Sequence, residues 1–154
     1  MNAEFMQEAV ALACENIKKG GGPFAALIVK EGRVIARTGN TVTLDNDPTA
    51  HAEVNAIREA CRKLGTFDLS GCEIYSSCEP CPMCLSAIYW ARVDRIYISG
   101  LRQDAAEAGF DDEFLYREIG KPYPQRKIPV SVLLREEGKT PFAHWKKYES
   151  KIPY

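Results

Sequence analysis

The sequence predicts an α/β layered domain in which helices cover a central sheet of about five strands. Three observations predict it. Apolar residues recur at three- and four-residue intervals in separate segments, short apolar runs of strand length lie between those segments, and Gly and Pro punctuate the joins.

The first element is an amphipathic helix, because Phe5, Ala9, Leu12, Ala13 and Ile17 share one face and Gly20-Gly21-Gly22-Pro23 ends it. Phe24 to Val29 reads as a buried strand, Glu31-Gly32 supplies turn chemistry, and Arg33 to Ala36 returns as the hairpin partner, with Asn40 just past it. From Ala50, the residues Val54, Ile57, Cys61 and Leu64 continue one apolar stripe until Gly65 stops it, which predicts a second helix. Cys72 to Ser76 is a third strand. Cys81, Cys84, Leu85 and Ile88 mark a third helix with Pro82 in its first turn, and Arg95 to Ser99 is a fourth strand. A polar stretch from Gln103, a short helix from about Asp111 to Ile119 and a Pro-rich connection lead to Ile128–Leu134, a predicted fifth strand. Thr140-Pro141 reads as an N-cap followed by Pro at the first helical position of a final helix.

Length and composition fit one domain, residues 1–154, with neither repeat nor linker. The chain has 154 residues, 45% of them hydrophobic and 27% charged, enough to bury a core without disulfide staples. Eleven Gly and nine Pro are too few for a disordered chain. A net charge of −1 argues against a protein whose affinity comes from neutralising phosphates, so a nucleic acid partner is disfavoured. The N-terminus lacks the basic and apolar regions of a signal peptide, and the longest clean apolar run, Phe24 to Val29, is far below membrane-span length. A cytoplasmic protein is therefore expected, in which the six cysteines stay reduced.

Chemistry concentrates in two places. His51-Ala52-Glu53 opens the second helix, and Pro80-Cys81-Pro82-Met83-Cys84 opens the third. One His and two Cys make a three-ligand zinc set, and catalytic zinc keeps its fourth position for water whereas structural zinc fills all four with side chains. Cys78 is the residue that would close the site, but it precedes the helix at the end of a strand, so it is expected to be a non-ligand. Two helix N-termini at the metal favour thiolates at Cys81 and Cys84. Coordination lowers the pKa of water from 15.7 towards about 7, and Glu53 would act as the base. Glu53 and His51 lie on different faces of an ideal helix, so they converge only if their side chains lean past the helix end. The alternatives are a redox Cys-x-x-C pair and a purely structural zinc.

His51-Ala52-Glu53 with Pro80-Cys81-Pro82-Met83-Cys84 resembles the zinc nucleoside and nucleobase deaminases, and the order of elements is similar. The resemblance implies a three-layer cytidine deaminase-like fold with a central mixed five-stranded sheet. It also implies one zinc ion per chain on His51, Cys81 and Cys84, with Glu53 carrying a proton to a ring nitrogen and then to the departing amine. Asp47–Val54, Ser77–Cys84, Ala87–Ala91 and Asp104–Asp112 resemble the bacterial guanine deaminases across nearly the whole chain. The tRNA adenosine deaminases share the zinc motifs but usually carry a Lys-Gly-Ala type segment where this chain has Ala105-Ala106-Glu107-Ala108-Gly109.

A planar, uncharged purine needs apolar walls and a few placed hydrogen bonds. Phe24 and Trp90 are candidate walls, with ordinary core packing the competing explanation. Asn40 offers a donor and an acceptor for the O6 and N7 edge, and the resemblance makes it a substrate-binding residue. Asp112 is either a second catalytic carboxylate, assisting loss of the amine, or a helix cap; the resemblance turns it towards the site and makes Asp111 the cap. Phe142, Trp145 and Tyr148 form one helical face, followed by Ile152-Pro153-Tyr154. The segment from about 139 to 154 either packs on the core or, as the resemblance implies, covers the active site with Tyr154 as a lid, exchanged between the subunits of a homodimer. The expected reaction converts guanine to xanthine and ammonia. The alternatives are deamination of guanosine, cytosine, an aminated triazine or tRNA adenosine, and a non-catalytic zinc module completed by Cys78.

Overall fold

The structure, a computed structural model, describes residues 2–154. The first apolar stripe folds as α1 (Ala3–Lys18), capped by Asn2, whose side chain accepts the Glu4 backbone N–H at 2.9 Å. After the glycine turn come β1 (Gly22–Lys30) and β2 (Arg33–Asn40), joined at Glu31 and Gly32, whose φ values of 50° and 72° suit a tight hairpin. A single turn, α2 (Val42–Asp45), leads to α3 (Ala52–Leu64), which Gly65 ends in the left-handed conformation at φ 66°. Then follow β3 (Cys72–Cys78), α4 (Pro82–Trp90), β4 (Arg95–Gly100), α5 (Arg102–Glu107), α6 (Glu113–Ile119) and α7 (Thr140–Lys147).

The sheet has the order β2-β1-β3-β4, with β1 antiparallel to both neighbours and β3 parallel to β4. Strand alternation sorts its core onto two faces. Leu27, Val29 and Tyr75 meet Ala9 and Phe5 of α1, whereas Ala26, Ile28 and Ile74 meet Ala52, Ala56 and Ala60 of α3 and Ile88 of α4. Helices on both faces of a mixed sheet make three layers, which is why β1 is apolar along its length rather than alternating. The three alanines of α3 are completely buried and let its backbone come close to the sheet. Ala56→Leu is therefore expected to overpack the interface by about 1–3 kcal/mol, lowering the melting temperature by roughly 3–10 °C in a thermal scan.

The expected five-stranded sheet is corrected to four strands. Ile128–Leu134 forms no ladder among the described residues: Pro129 has no N–H to give and Leu134 adopts a positive φ of 49°. Other boundaries also move. Asn40 is the last residue of β2 rather than lying past it, and α5, which the polar stretch concealed, is held by Asp104 accepting the Leu101 N–H at 2.8 Å. Thr140 and Pro141 lie inside α7, with Lys139 at the cap.

The chain divides into two units, one up to Glu113 and one from Phe114 to Tyr154. The first carries the sheet and its helices. The second is built on local contacts: Glu118 accepts the Lys127 N–H at 2.7 Å, and the Arg126 guanidinium lies 4.8 Å from the centre of the Tyr123 ring. None of its residues is buried, and Phe142, Trp145 and Tyr148 are exposed. No helix among the described residues is long and apolar enough to cross a membrane.

Candidate active site

Two helices begin at one point. His51 is the N-cap of α3 and Cys81 the N-cap of α4, and neither side chain turns back to cap its helix. Pro82 at the first position of α4 sets its start, and Cys84 follows one turn in. Upstream of α3, Asp47 Oδ1 accepts both the Thr49 N–H and hydroxyl at 2.7 Å, so the chain enters α3 extended at His51. The sequence placed His51 within the helix; at the cap it clears the helix barrel, which is how it converges with Glu53.

The ligand atoms of His51, Cys81 and Cys84 lie within 4.8 Å of one another. His51 Nδ1 is 3.6 Å from Cys81 Sγ and 3.4 Å from Cys84 Sγ. A tetrahedral zinc with Zn–S near 2.3 Å and Zn–N near 2.0–2.1 Å separates such atoms by about 3.6 Å. The donor set fits a zinc ion in both spacing and softness, with Nδ1 as the ligating nitrogen.

The electrostatics have the same character. Cys84 donates to Cys81 and pulls it down to about 4, helped by His51, while the same bond and burial push Cys84 far above a normal thiol. Cys81 in turn raises the pKa of His51. Cys81 is already a thiolate, so a dication bound among the three would draw the proton from the Cys84 thiol and hold His51 as the neutral imidazole.

Glu53 is 7% exposed, and burial raises its pKa. Its Oε1 accepts the Ser76 hydroxyl at 3.3 Å, and it also hydrogen-bonds Cys84. A buried carboxylate beside the ligands, on the same sheet face, is placed to move protons there. Ser76 was missed in the sequence. Its signal was parity: it shares a strand face with Ile74, opposite α3, so a polar residue there needs a buried partner.

Asp112 is partly buried, and its pKa is raised first by desolvation and then by the negative charge of Cys81. Asp111 takes the capping role, accepting the Glu113 N–H at 3.0 Å. Phe24 packs beside the α3 core and meets Phe110, two residues before Asp112, edge to face with centroids 5.0 Å apart. Phe110 had no periodic signal. Asn40 is buried, and its Oδ1 accepts the Val42 N–H at 3.2 Å, so its amide is oriented with Nδ2 as the free arm.

Two further expected residues are exposed. Trp90 is 67% exposed at the far end of α4, about 13 Å of helix from the Cys81 end. Tyr154 lies in the second unit and is exposed. Cys78 is not among the metal-spaced group; its thiol donates to the Leu101 carbonyl at 3.7 Å. Cys78→Ser is accordingly expected to keep one zinc per chain by metal analysis, and loss of the metal would point to a four-ligand structural site.

Residues 1–100 match the cytidine and deoxycytidylate deaminase zinc-binding region. The chain is 53% identical to the guanine deaminase of Bacillus subtilis, over all of both proteins. The crystal structure of guanine deaminase from Bacillus subtilis superposes with a TM-score of 0.97, covering 100% of this chain and 99% of that one. A tRNA-specific adenosine deaminase of Aquifex aeolicus is 45% identical over 97 residues, which is 63% of this chain and 64% of that protein.

Proposed function

The chain belongs to the cytidine and deoxycytidylate deaminase zinc-binding family, and from that premise we propose that it is a zinc-dependent hydrolase converting guanine and water to xanthine and ammonia. The observation that carries the substrate is the 53% identity to a guanine deaminase across the full length of both chains. The adenosine deaminase match, in contrast, stops at 63% of the chain. A net charge of −1 also suits a small uncharged base better than a polyanion.

His51, Cys81 and Cys84 would hold the zinc, which when bound would supply Lewis-acid activation of the attacking water. The remaining work falls to side chains. The C2–N bond to the exocyclic amine breaks after addition at C2, so a proton must reach N3 and another the leaving nitrogen. Glu53 carries both, because it is buried beside the ligands and no other carboxylate hydrogen-bonds them among the described residues. Asp112, facing the Cys81 side, binds the exocyclic amino group and assists its departure as ammonia. Asn40 presents Nδ2 as a donor to the O6 and N7 edge, and Phe24 with Phe110 forms an apolar wall.

Residues 1–154 act as one catalytic domain, and the protein works as a cytoplasmic homodimer that exchanges its C-terminal segment. What supports this is the second unit, which keeps Phe142, Trp145 and Tyr148 exposed, together with Tyr89 and Trp90 exposed on the first. Trp90 belongs to that subunit surface on this reading, and Tyr154 closes the pocket against a ribose.

The test is ammonia release by zinc-quantified protein offered guanine, guanosine, cytosine, cytidine and adenine. Turnover of guanine alone is expected. Activity on another substrate with silence on guanine would keep the metal centre and discard the roles of Asn40, Asp112 and Tyr154. Deleting the last few residues is expected to admit guanosine, read in the same assay.

A further inference from the structure

Asn16 lies on α1, the helix that contributes nothing to the metal centre, yet it is buried to 6% exposure. Its Nδ2 uses both hydrogens on backbone carbonyls, donating to Gly22 O and to Asn40 O, each at 2.8 Å. Those two residues face each other across the β1–β2 ladder, so one amide pins the first residue of β1 to the last of β2. The surroundings are shaped for it. A Cβ on Gly21 would stand 2.3 Å from Asn16 Nδ2, and one on Gly39 would stand 2.2 Å from Oδ1, so only glycine fits at either place.

From the opposite face of the sheet, Asn55 of α3 does the matching job. Its Nδ2 reaches Gly39 O at 3.1 Å, Thr41 Oγ1 at 3.0 Å and Ala50 O at 3.3 Å. Residues 39 to 41 are thus gripped by an amide from each helical layer. Asn40 sits between the grips, with its own Oδ1 already committed to the Val42 N–H. Its remaining freedom is the direction in which Nδ2 points, and the backbone of residue 40 sets that direction.

We propose that Asn16 is a positioning residue that fixes the backbone of Asn40 and so aims the Asn40 amide at the purine. The inference rests on the reading of Asn40 as a substrate-binding residue. A bond made only for folding would act on stability and on the fraction of active protein; a positioning bond acts on substrate affinity through Asn40.

The experiment is a double-variant cycle on the zinc-loaded full chain, with rates normalised to bound zinc and measured well below each melting temperature. Asn16→Ala and Asn40→Ala are made singly and together, with Asn16→Ser as the milder variant that retains one donor. Loss of a buried hydrogen bond is expected to raise KM for guanine about tenfold in Asn16→Ala, with kcat changed less than about threefold. Asn16→Ser is expected to fall between Asn16→Ala and the parent. In the Asn40→Ala background the Asn16 change should cost nothing further. Unchanged KM in both Asn16 variants, or full additivity in the double variant, would overturn the proposal while leaving Asn40 as a binding residue. An Asn40→Ala protein with unaltered KM would instead remove the binding role, and the positioning role with it.

Discussion

Glu53→Gln is expected to bind a full complement of zinc and to lose about 10³–10⁴-fold in kcat. Glu53 is not a ligand, so the donor set of His51, Cys81 and Cys84 is untouched. Gln is nearly isosteric and can still meet the Ser76 hydroxyl, which now reaches Oε1 at 3.3 Å. The amide cannot take up or release a proton at working pH, and one general acid–base group contributes typically 10²–10⁴ in rate. Because the same carboxylate serves both N3 and the leaving amine, the loss belongs at the upper end of that range. Removing a buried carboxylate whose pKa burial already raises should leave folding stability unchanged or slightly improved. Zinc analysis, a melting curve and ammonia release on one preparation decide the matter. Ammonia release within tenfold of the parent would show that the proton travels by another route, with Asp112 the next carboxylate to replace.

The second large effect comes from Cys84→Ser. Cys84 is completely buried on the first turn of α4, in contact with Cys81 and Glu53, so its loss deletes a ligand from the middle of the cluster. A hydroxyl is a poor substitute for a thiolate at a soft, borderline cation. Zinc content is expected to fall near zero and deamination to become undetectable. The same substitution should reach the fold, because a bound metal would tie the starts of α3 and α4 together and both helices pack on the same face of the sheet. A metal present at 1,000 times its dissociation constant contributes about 4 kcal/mol, which corresponds to a loss of roughly 8–16 °C in melting temperature for a domain of this size. A chelator should lower the parent protein by the same amount and leave Cys84→Ser where it is. A variant that keeps one zinc per chain would remove Cys84 from the ligand set.

Helix positions were legible because a 3.6-residue period leaves a long trace. The second helix was found from the stripe of Val54, Ile57, Cys61 and Leu64, of which Ile57, Cys61 and Leu64 pack half-buried against the core. Its fully buried face is the neighbouring row of Ala52, Ala56 and Ala60, which the sequence reading did not pick out. The metal ligands were legible for a different reason: one His and two Cys at helix starts are rare unless a metal requires them. The fifth strand was misread because apolar alternation in Ile128–Leu134 is only half of what a strand needs. The other half is a ladder partner, which local sequence does not encode. Trp90, a candidate wall from its nearness to a motif in sequence, stands exposed at the other end of α4.

By itself, the sequence determined the alternation of helices and strands, the His51, Cys81 and Cys84 set, and the carboxylate of Glu53, because periodicity and ligand chemistry are properties of residue types at fixed spacing. Only the tertiary structure decided that the sheet has four strands, that His51 stands at a helix cap, that Ser76 meets Glu53 and Phe110 meets Phe24, and that Asn16 and Asn55 hold residues 39 to 41. Each of these depends on contacts between residues distant in the chain. Such contacts are set by how the layers pack, and packing depends on the shape of the whole core.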